Sequence, residues 1–405
     1  MANLLSPSGN ATFYTPLFYA QTALTELRKA LGMANTVNVG YDAERRQFDR
    51  GDTIKITQTG SFEAQSHVPG TGTTRQDIKV NETQIVLDKH EEVKFGVTDR
   101  EISKGSEAII RDHIGPAAYA LALKIDSDLN ALHLKVPYAY DIASGDSATD
   151  ILTKTRKIMR DNKVPFDQQV FAEIDPTLEA KFLADPIFHE ARITGGMDNQ
   201  DALMRAMLAQ RFGFNIYSNQ NVAEFDAPGT ASAGGDNVGA LAADADFGAD
   251  TLSLTDFTAT ETLKAGDSFS IAGDSHRYVV AEDATFAGSP GAATVKIFPR
   301  LRQSASSGAV VTVEDVNASG NNGDSYSANM AYHRNAFALA FGRLPQRQDG
   351  AGVMYASVQD PVTGLAIRAR MFDDGDTATR NVALDTLYGV QAIRPELAVK
   401  MRRDV

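Results

Sequence analysis

The 405-residue chain contains no cysteine. That absence excludes a disulfide framework, a thiol nucleophile and every Cys-based metal site, and it suits a reducing cytoplasm. Long apolar runs are lacking as well: no stretch approaches the roughly 18–20 consecutive apolar residues that a membrane-spanning helix needs. The opening, Met1-Ala2-Asn3-Leu4-Leu5-Ser6-Pro7-Ser8, has neither the basic cap nor the apolar run of a secretory signal. The expectation is a soluble protein made in the cytoplasm, with no membrane partner. Positive charge is scarce: 39 Lys and Arg stand against 52 Asp and Glu, a net −13. This argues against a general nucleic-acid-binding role, which needs a basic face.

Hydrophobic residues make up 43% of the chain, enough for a sizeable core, and the length suggests two to three domains. The negative charge is uneven. Residues 226–320 hold 13 acidic and 5 basic side chains, so eight of the thirteen surplus negative charges fall in about a quarter of the sequence. Such an asymmetry marks a separate module.

Along the chain, Thr15-Pro16 opens a first helix, with Leu17, Leu24, Leu27 and Leu31 at helical spacing and Gly32 as its stop. It reads either as a packed amphipathic helix or as an arm that covers a neighbouring copy. Residues 51–98 read as extended, since Thr53-Ile54-Lys55-Ile56-Thr57 and Gln84-Ile85-Val86-Leu87 alternate around a turn-rich Val68-Pro69-Gly70-Thr71-Gly72-Thr73-Thr74. A helical region from about Ile102 to Lys135 contains Gly115-Pro116, where the proline starts a second helix or kinks one long one. Helices at 148–162, 176–184 and near 201–209 alternate with strands at 169–174 and 214–222. Residues 227–250 read as a linker, and 251–315 as short strands of a small antiparallel barrel or sandwich. Met330 to Gly342 reads as a helix. Strands near 353–358 and 365–370 follow, and 377–399 completes a sheet beside the long helix.

Candidate chemistry is sparse. The seven histidines form no metal-binding spacing; His90-Glu91 and His189-Glu190 are bare pairs. No Gly-x-Ser-x-Gly elbow occurs. Gly70-Thr71-Gly72-Thr73-Thr74 lacks the Gly-Lys-Ser/Thr ending of a phosphate loop. Asp315-Val316-Asn317-Ala318-Ser319-Gly320 opens like a calcium loop but carries Tyr326 where a bidentate Glu is required, and Gly248-Ala249-Asp250 resembles one copy of a calcium nonapeptide. Glu173 and Asp175 read as strand-end turn residues rather than an acid–base pair. Basic and aromatic residues interleave only weakly, as in Arg368-Ala369-Arg370-Met371-Phe372, and the arginines suit ion pairs between copies before nucleic-acid contacts. The expectation is no enzyme, with no catalytic, metal or cofactor site.

Two blocks carry a resemblance: Tyr41-Asp42-Ala43-Glu44 with Phe48-Asp49-Arg50-Gly51-Asp52-Thr53-Ile54-Lys55-Ile56, and Leu387-Tyr388-Gly389-Val390-Gln391-Ala392-Ile393-Arg394-Pro395-Glu396-Leu397. With Pro116-Ala117-Ala118 through Leu129, Leu263-Lys264-Ala265-Gly266-Asp267 and Ile297-Phe298-Pro299-Arg300-Leu301, the chain resembles the major capsid proteins of tailed bacteriophages, above all the short-tailed-phage coat proteins with an inserted domain. The resemblance implies an α+β, Hong Kong 97-type capsid fold with an inserted small antiparallel β-barrel. Its parts would be an N-terminal arm (1–50), an extended loop hairpin (51–98), the spine helix and start of the peripheral domain (99–137) and a first part of the axial domain (138–225). The inserted barrel (226–327), a second axial part (328–345) and the peripheral return strands with the C-terminus (346–405) would follow. It further implies self-assembly in hexamers and pentamers of an expanding icosahedral shell; no Lys–Asn pair stands out for crosslinking, so the shell is expected to be non-covalent. Scaffolding, portal and decoration proteins would be its partners, and DNA would be enclosed without sequence-specific binding. An acidic wall fits such a container, because it does not adhere to phosphates. An encapsulin-like compartment shell and a β-rich surface or adhesin-like binding protein are the alternatives.

Overall fold

The computed structural model describes residues 16–40, 53–59, 66–67, 80–98, 106–189, 208, 210–225, 229, 237–314, 325–342, 344, 353–360, 364–374 and 379–404. Helix α1 (Pro16–Ala30) buries Pro16, Tyr19, Ala20, Ala23 and Leu27, an i, i+3, i+4, i+7 stripe. The stripe differs from the predicted leucine face: Leu17 is half-exposed, while small Ala20 and Ala23 let the helix close onto the next long helix of its own chain. Strands β1 (Thr53–Thr59) and β2 (Val80–Val86) pair antiparallel from Thr53↔Val86 to Thr59↔Val80. Period-2 alternation turns Ile54 and Ile85 inward, opposite each other, and Lys55 and Glu82 outward. The turn-rich 68–74 lies outside the described residues.

After β3 (Lys89–Thr98) comes α2 (Ser106–Asn130), one helix that runs through Pro116 and spans roughly 37 Å at 1.5 Å per residue. Its buried face is Ala117, Ala118, Leu121, Ala122, Ile125 and Leu129. Strand β4 (Ala139–Asp141) leads to α3 (Ala148–Asp161), which starts with a capping box between Ser147 and Asp150. Strand β5 (Val170–Ile174) feeds α4 (Pro176–Ala184), capped by the Asp175 side chain on Leu178 N at 3.1 Å, and a single turn α5 (Pro186–His189). The predicted helix near 201–209 lies outside the described residues, apart from Leu208. Strands β6 (Asn215–Ser218) and β7 (Glu224–Phe225) close this half.

The module marked by charge contains β8 (Val238–Leu241), β9 (Thr251–Phe257), β10 (Thr262–Leu263), β11 (Ser268–Ile271), β12 (Arg277–Val280), β13 (Ala284–Thr285), β14 (Gly291–Phe298) and β15 (Val310–Val313). Six of these close a barrel in the order β11-β12-β14-β9-β8-β15, every pairing antiparallel. Closure removes the unpaired edges that would otherwise invite aggregation. The barrel has its own core of Leu252, Leu254, Phe257, Phe269, Ile271, Tyr278, Val295, Ile297 and Val311, each worth roughly 1.5–3 kcal/mol on burial. Strand β8 falls inside the predicted linker. It is four residues long and includes Gly239 and Ala240, so its pattern is too short and too small to stand out.

The predicted helix at Met330–Gly342 is two strands, β16 (Tyr326–His333) and β17 (Phe337–Gly342), joined by a 3-10 turn at Arg334–Ala336. Every residue of both strands is buried, so both faces are covered and no alternation remains to separate strand from buried helix. Strands β18 (Val353–Gln359), β19 (Ala366–Asp374), β20 (Thr379–Ala392) and β21 (Ala398–Asp404) complete the chain.

Two sheets result. The first is ordered β4-β21-β16-β5-β6, with β7 also on β16. The second is built around β20: β3 pairs with Thr379–Tyr388 on one edge, while β19 and β17 take the other edge in succession, with β18 outside β19. The final segment therefore does not stay in one sheet, since β20 lies in the second and β21 crosses to the first. A continuous core joins α1, α2, α3 and both sheets. The hairpin base sits on a small separate cluster, in which Ile54, Ile85 and Leu87 meet Ala338, Ala340 and Ile393.

Candidate assembly interface

The hairpin meets the body at one very close approach. A Cβ on Gly389 of β20 would run into the Val86 carbonyl and sit within 3.2 Å of Leu87 Cα. Only glycine lets the returning strand cross β20 there. The outward positions of the hairpin, Thr53, Lys55, Thr57, Glu82, Gln84 and Val86, face solvent. Large apolar side chains also exposed are Leu17, Tyr119, Met354 and, on the barrel, Val238 and Val310. The last two lie on adjacent strands: Val310 pairs with Ala240 and Val238 with Thr312, so both valines point outward diagonally across one face.

The barrel is seated on the body by cations. Lys400 on β21 is fully buried and donates to Gly266 O at 3.0 Å; burial pushes its ammonium down to about 7. Gly266 has φ +103, a backbone that favours glycine, and a Cβ there would press on Leu134. Arg302 Nη2 pairs with Glu396 Oε2 at 2.9 Å, Lys135 lies 5.7 Å from the Phe298 ring centre, and Arg277 stands at the same distance over Tyr138.

Arg368 and Arg370, expected to reach other copies, are engaged within the chain. Arg368 sits opposite Asp385 and grips it with both prongs of its fork, at 3.0 and 2.6 Å. Arg370 bonds Glu92 and lies 3.3 Å from Asp385. The register puts Arg368, Asp385 and Glu92 in one row across β19, β20 and β3, and Asp385 is fully buried.

Histidines are tied up in the same way. His90 Nε2 is 3.4 Å from Asp385, His276 Nδ1 2.8 Å from Asp274, and His333 Nε2 3.1 Å from Asp167. Buried His133 has Nδ1 at 2.9 Å from Asn130 O, and burial pushes it down to about 4. Gly248 and Asp250 form a barrel turn through Gly248 N on Leu301 O and Ile297 N on Asp250 O. The 70–74 and 315–320 motifs, and His189-Glu190, lie outside what is described of the side chains. Among the described residues no three His, Asp or Glu side chains converge as metal ligands, and no described helix is long and apolar enough to cross a membrane. Asp175, read as a strand-end turn residue, follows β5 and is the N-cap of α4. Glu173 is not a turn residue: it is a buried strand carboxyl that touches Asn130 and Asn219. Nothing in the local sequence signals this, because its partners lie 43 and 46 positions away.

Residues 219–402 match the family model described as P22 coat protein - gene protein 5, a stretch that includes the whole barrel, β16 to β20 and most of β21. No curated protein matches the chain. Among solved structures it is similar to one from Mycobacterium phage Che8, at TM-score 0.51 and 13% identity over 92% of this chain and 90% of that one. The capsid of Cyanophage P-SCSP1u follows at TM-score 0.45 and 12% identity, covering 87% of this chain and 84% of its own. The mature capsid of bacteriophage PhiM1 stands at TM-score 0.43 and 10% identity, covering 88% and 83%.

Proposed function

We propose that this chain, a major capsid protein of the tailed-phage type with a Hong Kong 97-type fold and an inserted six-stranded barrel, forms an icosahedral shell around double-stranded DNA. The observation that carries this is the coat-protein match spanning barrel and return strands within a chain of that fold. The β-rich surface-protein alternative rested on the barrel alone, and the match extends well beyond it. In this reading α2 is the spine helix, the sheet around β20 the peripheral domain and the sheet around β16 the axial domain. The β1–β2 hairpin is the extended loop.

The physics supports that assignment. A two-stranded hairpin is marginal in water by itself, and among its described residues Ile54 and Ile85 pack on Ala338, Ala340 and Ile393. A neighbouring copy supplies the remaining cover. Many such modest contacts, multiplied by copy number, hold the shell without covalent links. The acidic wall, at net −13, encloses DNA without adhering to it. Scaffolding, portal and decoration proteins complete the partners, with assembly in the host cytoplasm and the virion capsid as the final location.

Expression of the chain with and without its neighbouring genes, followed by negative-stain electron microscopy, tests the reading. Closed particles of uniform size are expected. A monomer that persists even with the neighbouring gene products would refute it.

A further inference from the structure

The shell reading makes no use of Glu173, fully buried on β5. Its Oε1 accepts two amide donors, Asn219 Nδ2 at 2.6 Å and Asn130 Nδ2 at 3.2 Å. Its Oε2 has no hydrogen-bond partner, and neither has Asn130 Oδ1. These two bare acceptors are the other halves of the two groups that already share the Asn130 bond. Turning the Asn130 amide over does not help: Nδ2 also donates to Asp126 O at 3.1 Å, so an oxygen would then face two acceptors. One proton on Oε2 resolves both atoms at once. It makes Oε2 a donor to Asn130 Oδ1 and closes the cyclic pair of a carboxylic acid with an amide. The alternative is a buried carboxylate with one oxygen unpaired, a desolvated charge that the fold does not compensate.

The surroundings supply no compensating cation. From α2, Asp126 faces the site, its own carboxylate held by Gly32 N at 2.7 Å and Ala34 N at 3.2 Å. From β6 and β16 come the Tyr217 and Tyr332 hydroxyls, 2.5 Å apart, with Tyr332 reaching Thr36 at 2.6 Å; Tyr217 also bonds the Glu173 carboxyl and, like the two amides, pulls its pKa down against the larger effect of burial. His133 faces the Asn130 carbonyl and is neutral. Lys400 shares the row Glu173↔Met330↔Lys400, but β16 lies between, and its ammonium is given to Gly266 O. Among the described residues no Lys or Arg forms an ion pair with Glu173.

We propose that Glu173 is a neutral carboxylic acid in the folded protein, and that its proton pins together α2, the 32–36 turn and the β16-β5-β6 sheet. Loss of that proton sets a bare charge beside Asp126 and loosens the junction, in a free chain as in a shell. Burial, reinforced by the Asp126 charge, pushes Glu173 up to about 7, and burial pushes Asp126 up to about 6. The direction of the pH effect follows. Below the ordinary value of 4.5 both folded and unfolded chains hold the Glu173 proton. Between there and about 7 only the folded chain does, so stability is lost as pH rises through that window, by up to about tenfold in the folding equilibrium per pH unit.

Infrared difference spectroscopy on the purified full-length protein, titrated across this window, reads the proton directly. The wild type should lose a protonated-carboxyl C=O band as pH passes about 7. Glu173→Gln should lose the Glu173 part of that band, keep only the Asp126 part that titrates near 6, and fold well, because its amide N–H replaces the acid O–H toward Asn130. Asp126→Asn, which removes that second raised carboxyl, should keep the Glu173 band, and the Asp126→Asn/Glu173→Gln double variant should have none. No such band in Asp126→Asn, a band that survives in the double variant, or a Glu173→Gln chain that cannot fold would each overturn the proposal.

Discussion

Asp385 illustrates, at the scale of one residue, how much of this chain's charge is turned inward. It is wholly buried and satisfied by the Arg368 fork. Removing one partner strands the other, so Asp385→Ala should cost about 3–5 kcal/mol in chemical denaturation. Lys157→Ala, which breaks an exposed pair with Asp161, should cost under about 1 kcal/mol. Lys400 supplies a second test. Its folded value lies near 7 against an ordinary 10.5, so the stability it contributes is complete only above 10.5 and is lost as pH falls toward 7. Glu173 acts with the opposite sign, and the two contributions are jointly lowest near neutrality. A thermal-denaturation series in the alkaline range should show stability rising with pH in the wild type and a flatter profile in Lys400→Met.

At the scale of elements, the hairpin and the strand beneath it form one unit. Gly389→Ala places a methyl group against the Val86 carbonyl. It should cost about 1–3 kcal/mol, as overpacking does, and limited proteolysis should cut the hairpin faster in that variant. The same elements show what a sequence can reveal. Alternation marked the hairpin strands because one face of the pair is wet, and the helix read from Pro176 to Ala184 is α4 to the residue. Turn residues at short intervals marked the barrel. Where both faces are covered the signal disappears: β16 and β17 read as helix, and four-residue β8 vanished into a linker. The inward network was illegible for a different reason. Asn130 of α2 meets Glu173 and Asn219, and Glu92 of β3 meets Arg370 of β19, only after elements far apart in the chain are brought side by side, and no local pattern encodes that meeting.

For the whole molecule, the charge asymmetry read from the sequence is a physical division. The acidic module is a closed barrel with its own core, seated on the body through Lys400, Arg302, Arg277 and Lys135. The body is one core of helices and two sheets, and the base of the hairpin rests on a small cluster apart from it. A shell held by such contacts has no covalent bonds between copies, so denaturing mass spectrometry of purified particles should return the single-chain mass of 43.6 kDa and no linked ladder. The most direct test compares sedimentation velocity of the full chain with that of a chain lacking residues 62–76. The account predicts a fast, uniform multi-copy particle for the first, and a folded monomer with unchanged circular dichroism for the second. Closed particles from the shortened chain, or none from either, would contradict it.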